Sequence, residues 1–134
     1  KEIFKRKLNS SCKIYGHISS EDMKLMYKCS DLIISAPLQP EGFCRIISEG
    51  LAMEKIVLCY NYGGSKEQIS GLNDFYGIEP LSKNQMIDKI NIALNMSNNT
   101  KEQMGKVARI HVLENFSKKN MLEKYFKFYQ NINL

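Results

Sequence analysis

Short β-branched runs alternate along the chain with longer stretches in which apolar residues recur every three or four positions. Cys12-Lys13-Ile14-Tyr15 reads as a short strand closed by Gly16. Ser19 and Ser20 offer an N-cap for a helix from Glu21 to Cys29, with Met23, Met26 and Tyr27 at helical spacing. Leu32-Ile33-Ile34-Ser35 is a continuous apolar run ended by Pro37, as in a parallel strand covered by helices on both faces. A loop from Ala36 to Gly42 leads into a helix from Phe43 or Cys44 to Met53, whose small or apolar positions are Ile46, Ile47, Gly50, Leu51 and Met53. Ile56 to Tyr60 is the third strand, and Asn61-Tyr62-Gly63-Gly64 reads as a turn. Ser65 to Ile69 makes a short helix, and Phe75 to Ile78 is a weaker strand.

The rest of the pattern is helical. Ser82-Lys83-Asn84-Gln85 and Thr100-Lys101-Glu102-Gln103 both read as capping boxes ahead of apolar-periodic segments. Ser117 opens a last helix predicted to turn Met121, Leu122, Tyr125, Phe126, Tyr129 and Ile132 inward. No internal repeat or linker interrupts the chain. Strand–helix alternation predicts an α/β fold: a Rossmann-like parallel sheet flanked by helices, with a helical C-terminal tail.

Composition narrows the class. With 134 residues, 43% of them apolar, the chain can fill one core, and no window resembles a membrane span or a signal peptide. That predicts a cytoplasmic protein. Nineteen basic residues against fourteen acidic give a net charge of +5. Only Arg6, Arg45 and Arg109 are arginines, and the lysines are scattered, which argues against nucleic-acid binding. The same surplus suits peripheral contact with the inner face of a membrane, or simply a lysine-rich surface. Cys12, Cys29, Cys44 and Cys59 lack disulfide or zinc spacing and suit a reducing compartment.

In open parallel sheets, ligands bind beyond the carboxyl ends of the strands. Here those ends carry Gly16-His17-Ile18, the loop Ala36 to Phe43, and Tyr60 to Gly64. Pro40-Glu41-Gly42-Phe43-Cys44-Arg45 runs straight into a helix whose first amides are free donors, a ready site for phosphate. Glu41 and Glu49 have seven residues between them, which on a helix leaves them about a quarter turn apart and near one crevice. Such a pair can grip vicinal hydroxyls; the alternative is one glutamate complementing the helix dipole and one simply exposed. Arg45 suits either phosphate or a nearby carboxylate. His17 reads as a loop-exposed histidine, with contact to a base or phosphate as the alternative, and His111 reads as a core histidine.

Taken in order, Ser35-Ala36-Pro37, Glu41-Gly42-Phe43, Glu49-Gly50-Leu51-Ala52 and Gly63-Gly64-Ser65-Lys66-Glu67 resemble the signature of retaining glycosyltransferase family 4. Ala108-Arg109, Phe116-Ser117, Met121 and Tyr125 resemble its closing helices. The resemblance implies the GT-B fold and its C-terminal donor-binding domain, within a hexosyltransferase that builds a surface polysaccharide or a lipid-linked glycan. It implies that Glu49 binds the nucleotide ribose and that Glu41, the catalytic residue, contacts the donor sugar near the reacting carbon. Backbone amides of Gly42, Phe43, Cys44 and Arg45 would face the diphosphate and sugar, Gly16, His17 and Ile18 would border the base, and Gly63 and Gly64 would complete the nucleotide-sugar site. The donor is a nucleoside-diphosphate sugar and the acceptor a glycan or lipid-linked glycan. No cofactor or metal is implied, since helix dipole and basic groups offset the leaving charge.

The pattern departs from the family at Cys44, where it has glycine, and at Leu38, where it has serine. Glu54 and Ile56 replace a glycine and a proline, which predicts a weakened helix stop. The pattern begins at the helix before the family's third strand, so residues 1–134 are expected to be a partial donor domain. Its two central strands and the N-terminal acceptor domain would lie elsewhere. As such a piece it is expected to be inactive alone and to associate through open strand edges. Non-catalytic nucleotide-sugar binding and a protein-interaction module are the alternatives.

Overall fold

The computed structural model describes residues 10–132. Helix α1 (Ser20–Cys29) is followed by β1 (Ile33–Ser35), α2 (Arg45–Ala52), β2 (Val57–Tyr60) and α3 (Gly63–Ile69). A 3-10 turn (Asp74–Tyr76) leads to β3 (Gly77–Ile78), and three helices close the chain: α4 (Lys83–Asn95), α5 (Asn98–Phe116) and α6 (Lys118–Asn131). The sheet is parallel in the order β1-β2-β3, with Ile33 opposite Val57 and Cys59 opposite Gly77. This is the predicted α/β class. Among the described residues no helix is long and apolar enough to cross a membrane.

The core forms where α2 lies on the sheet. Ile47 and Leu51 are fully buried with Ile33, Val57 and Cys59, and Ala108 and Val112 of α5 close the layer from outside. Each such aliphatic side chain contributes about 1.5–3 kcal/mol of burial. A Cβ on Gly50 would stand 2.8 Å from both Ile33 and Val57, so glycine is what lets α2 sit this close. On the opposite face, Leu58 and Ile78 are fully buried, while Ile34 is 42% exposed. The prediction that β1 is covered on both faces is therefore corrected: only the Ile33–Ser35 face is sealed.

Other expectations also change. Cys12–Tyr15 forms no strand; Ile14 is 77% exposed, and no described strand lies beside this segment to pair its backbone. Gly63 and Gly64 are the first residues of α3 rather than a turn. Helix α5 is capped by Ser97, whose hydroxyl accepts from the Thr100 amide at 3.1 Å, so Thr100 lies inside the helix. Ser19, Ser82 and Ser117 do cap α1, α4 and α6. Met121, Leu122, Tyr125, Phe126, Tyr129 and Ile132 do not face inward, and α6 buries no residue.

Helix α2 stops despite lacking the expected glycine. Glu54 takes φ 60°, the Glu54 amide donates to Leu51 O at 3.0 Å, and the Lys55 amide donates to Gly50 O at 3.1 Å. That pair of bonds is the Schellman stop, made here by a residue that pays about 1–2 kcal/mol for a left-handed backbone. Glu54→Gly should therefore raise stability by about 0.5–1 kcal/mol, after the extra flexibility of the unfolded chain is subtracted. The lost ion pair to Arg109, 3.7 Å apart and exposed, counts for little. A denaturant midpoint that falls instead would mean that the Glu54 side chain outweighs its backbone strain.

Candidate functional site

The site is built around the start of α2. Its N-cap residue, Cys44, makes no side-chain cap hydrogen bond, and among the first-turn amides that of Ile47 donates to Cys44 O at 3.1 Å. Cys44 is buried, with its thiol 3.2 Å from the Ser35 hydroxyl at the end of β1. Burial, and then the adjoining Glu41 carboxylate, push this thiol above its ordinary value, with Ser35 acting in the opposite sense. It is a neutral packing group that anchors the helix start to the strand end.

One turn further in, Glu49 occupies a held position. The Tyr27 hydroxyl of α1 donates to Glu49 Oε2 at 2.9 Å, and Arg45 pairs with Oε1 at 2.7 Å. Burial raises the Tyr27 phenol well above its ordinary value, reinforced by the Glu49 hydrogen bond and charge, so it stays a donor. Arg45 thus makes the carboxylate pair, although its side chain remains 80% exposed. Between α1 and α2 lies a cleft of about 510 Å³. Ile18, Met23, Tyr27, Arg45 and Glu49 line it.

Glu41 reaches the helix start by a different route. Helix α2 begins only at Arg45, so Glu41 lies in the preceding loop and helical geometry does not relate it to Glu49. The loop is held from α3: the Gly64 amide donates to Glu41 O at 2.9 Å, and the Tyr62 hydroxyl donates to Pro37 O. A Cβ on Gly64 would fall 1.9 Å from Gly42 O, and one on Gly63 would fall 2.8 Å from Glu41 O. The two glycines therefore serve a close backbone approach of α3 to the Glu41–Gly42 loop. Gln68 Nε2 supports the same loop from below by donating to Cys44 O at 3.3 Å.

The structure thus brings Ile18, Arg45 and Glu49 into one cleft, and sets Glu41, Gly42, Phe43 and Cys44 along the loop on the other side of the helix start. Gly16 (φ +67°) shapes the turn before Ile18, and His17 is exposed, as read. Phe43 is half exposed and leans on Phe116 of α5, ring centroids 5.9 Å apart. His111 is only partly buried; its Nε2 lies 2.9 Å from Gln68 O, so it braces α3 and is not a core residue. Tyr27 and Gln68 are the participants that patterning missed. Their one sequence signal is that a tyrosine or glutamine at a buried helical position needs a polar partner.

Comparison with known proteins bears on this geometry. Residues 1–111 match the family described as glycosyl transferases group 1. The chain is 27% identical over 121 residues to the lipopolysaccharide 1,2-N-acetylglucosaminetransferase of Salmonella typhimurium, covering 90% of this chain and 31% of that protein. Its fold is similar to the crystal structure of a glycosyltransferase from Rickettsia africae ESF-5, with a TM-score of 0.87 and 34% identity. That likeness covers 97% of this chain and 34% of the other. The chain spans about a third of the length of each.

Proposed function

The chain belongs to the group 1 glycosyltransferases, and from that premise we propose that it is the donor-binding part of a retaining, GT-B enzyme of glycosyltransferase family 4. In this reading the cleft between α1 and α2 takes the nucleoside of a nucleoside-diphosphate sugar. The helix start of α2, with the Gly42–Arg45 amides leading into it, receives the diphosphate, and Glu41 stands at the sugar. The supporting observation is Glu49, a carboxylate held at the cleft by Tyr27 and Arg45 beside an uncapped helix start. Two fixed carboxylate oxygens match the two adjacent hydroxyls of a ribose.

Transfer then breaks the bond from the sugar's anomeric carbon to the diphosphate and forms one to an acceptor hydroxyl on the same face. The acceptor proton passes to the departing phosphate oxygen. Charge growing on the diphosphate is met by the amides at the start of α2, fixed donors that need little rearrangement, and by the positive charge of Arg45 beside them. The acceptor is proposed to be a glycan or a lipid-linked glycan, in keeping with the lipopolysaccharide-directed relative.

Glu49→Ala should weaken binding of the free nucleoside diphosphate by about 1–3 kcal/mol, because ribose hydroxyls lose their acceptor. The sign is diagnostic. Removing Glu49 also frees Arg45, which by charge alone would tighten an anionic ligand. Calorimetric affinity that is unchanged or improved would remove Glu49 from the ribose.

A further inference from the structure

Gln68 is fully buried, on the side of α3 that meets the start of α2. Its Nε2 donates to Cys44 O at 3.3 Å, and because a carbonyl only accepts, the orientation of the amide is set. Its Oε1 is equally buried and has no protein partner among the described residues. Cys44 O already accepts from the Ile47 amide at 3.1 Å, so it needs no second donor to be satisfied. An apolar side chain of the same length would fill this space with no amide to satisfy. The backbone beneath is fastened as well: His111 Nε2 donates to Gln68 O at 2.9 Å, tying this turn of α3 to α5. Packing alone therefore gives no reason for a glutamine here.

We propose that Gln68 is a positioning residue for the diphosphate, acting through the Cys44 carbonyl to aim the Arg45 amide into the site. This role rests on the reading of the α2 start as the diphosphate site. A trans peptide is planar, so its carbonyl and its N–H point in opposite directions. No peptide bond among the described residues is cis, and Cys44 O and the Arg45 amide belong to one such plane. Drawing the oxygen toward Gln68 and Ile47 turns the Arg45 N–H the other way, out of the helix start. Cys44 has no side-chain cap to steady this peptide from in front, so the second donor comes from behind, on a different helix. Two donors on one carbonyl also polarise the peptide, which strengthens the N–H on its far side. A donor fixed before the ligand arrives binds an anion with less ordering to do.

Calorimetry on the intact enzyme tests this, with uridine, guanosine and adenosine diphosphates and, by competition, the nucleoside of whichever binds. Gln68→Met keeps the length of the side chain and removes the amide. Diphosphate affinity should fall about 5- to 10-fold, with nucleoside affinity unchanged and the denaturant midpoint no lower. Gln68→Leu repeats the comparison with a branched side chain, should the thioether pack badly. A residue that only fills the core would lose stability and weaken both ligands together. Diphosphate affinity that holds in both variants, an equal loss for both ligands, or failure of both variants to fold overturns the role of Gln68. A parent enzyme that binds no diphosphate overturns the donor reading itself, and this role with it.

Discussion

Glu41→Gln in the intact enzyme should cut turnover about a hundredfold or more while leaving donor affinity within a few-fold. The expectation follows from where Glu41 stands. It is exposed in the loop before α2, and its backbone carbonyl is fixed by the Gly64 amide, so the carboxylate projects from a held main chain. A charge placed at the reacting sugar stabilises the transition state more than the bound donor, whereas glutamine keeps size and hydrogen bonding. Steady-state kinetics separates the two effects. Equal losses in turnover and affinity, or no loss, would take the catalytic role away from Glu41.

The second large effect is mechanical. Gly64→Ala would place a methyl group 1.9 Å from Gly42 O and 3.2 Å from Glu41 O, both backbone atoms that cannot rotate aside. Either α3 retreats or the Glu41–Gly42 loop moves, and the Gly64–Glu41 hydrogen bond is lost in both cases. A stability loss of about 1–3 kcal/mol is expected, together with a loss of donor binding. Gly42→Ala is the matched control for stability, because a Cβ there meets nothing within 4 Å. A Gly64→Ala protein as stable as its parent would show that α3 does not press on the loop.

Much of this could be read from residues in order, and the exceptions have physical causes. Apolar runs placed β1 and β2 to within a residue, and Ser19, Ser82 and Ser117 marked three helix starts through the hydroxyls that cap them. Thr100 misled because Ser97, three residues earlier, offers the same chemistry and the helix takes the earlier cap. Periodicity showed that α6 is two-sided but could not say which side is covered, since spacing carries no information about neighbours. The spacing of Glu41 and Glu49 suggested a helical relation that vanishes because α2 begins at Arg45. Tyr27 and Gln68 stayed hidden for a related reason: their partners, Glu49 and Cys44, are 22 and 24 residues away. Glu54 shows the reverse case, where a residue unsuited to a helix stop is held in that conformation by the bonds around it.

The central claim is that a nucleoside diphosphate binds at the start of α2 and in the cleft beside it. The direct measurement is a titration of nucleoside diphosphate followed by backbone amide resonances of the isotope-labelled intact protein. Saturable shifts are predicted at Gly42, Phe43, Cys44 and Arg45, and at Ile18 and Glu49 across the cleft. Shifts confined to the separate hollow lined by Asn61, Lys66, Gly71 and Lys89, or no saturable shift at all, would contradict it.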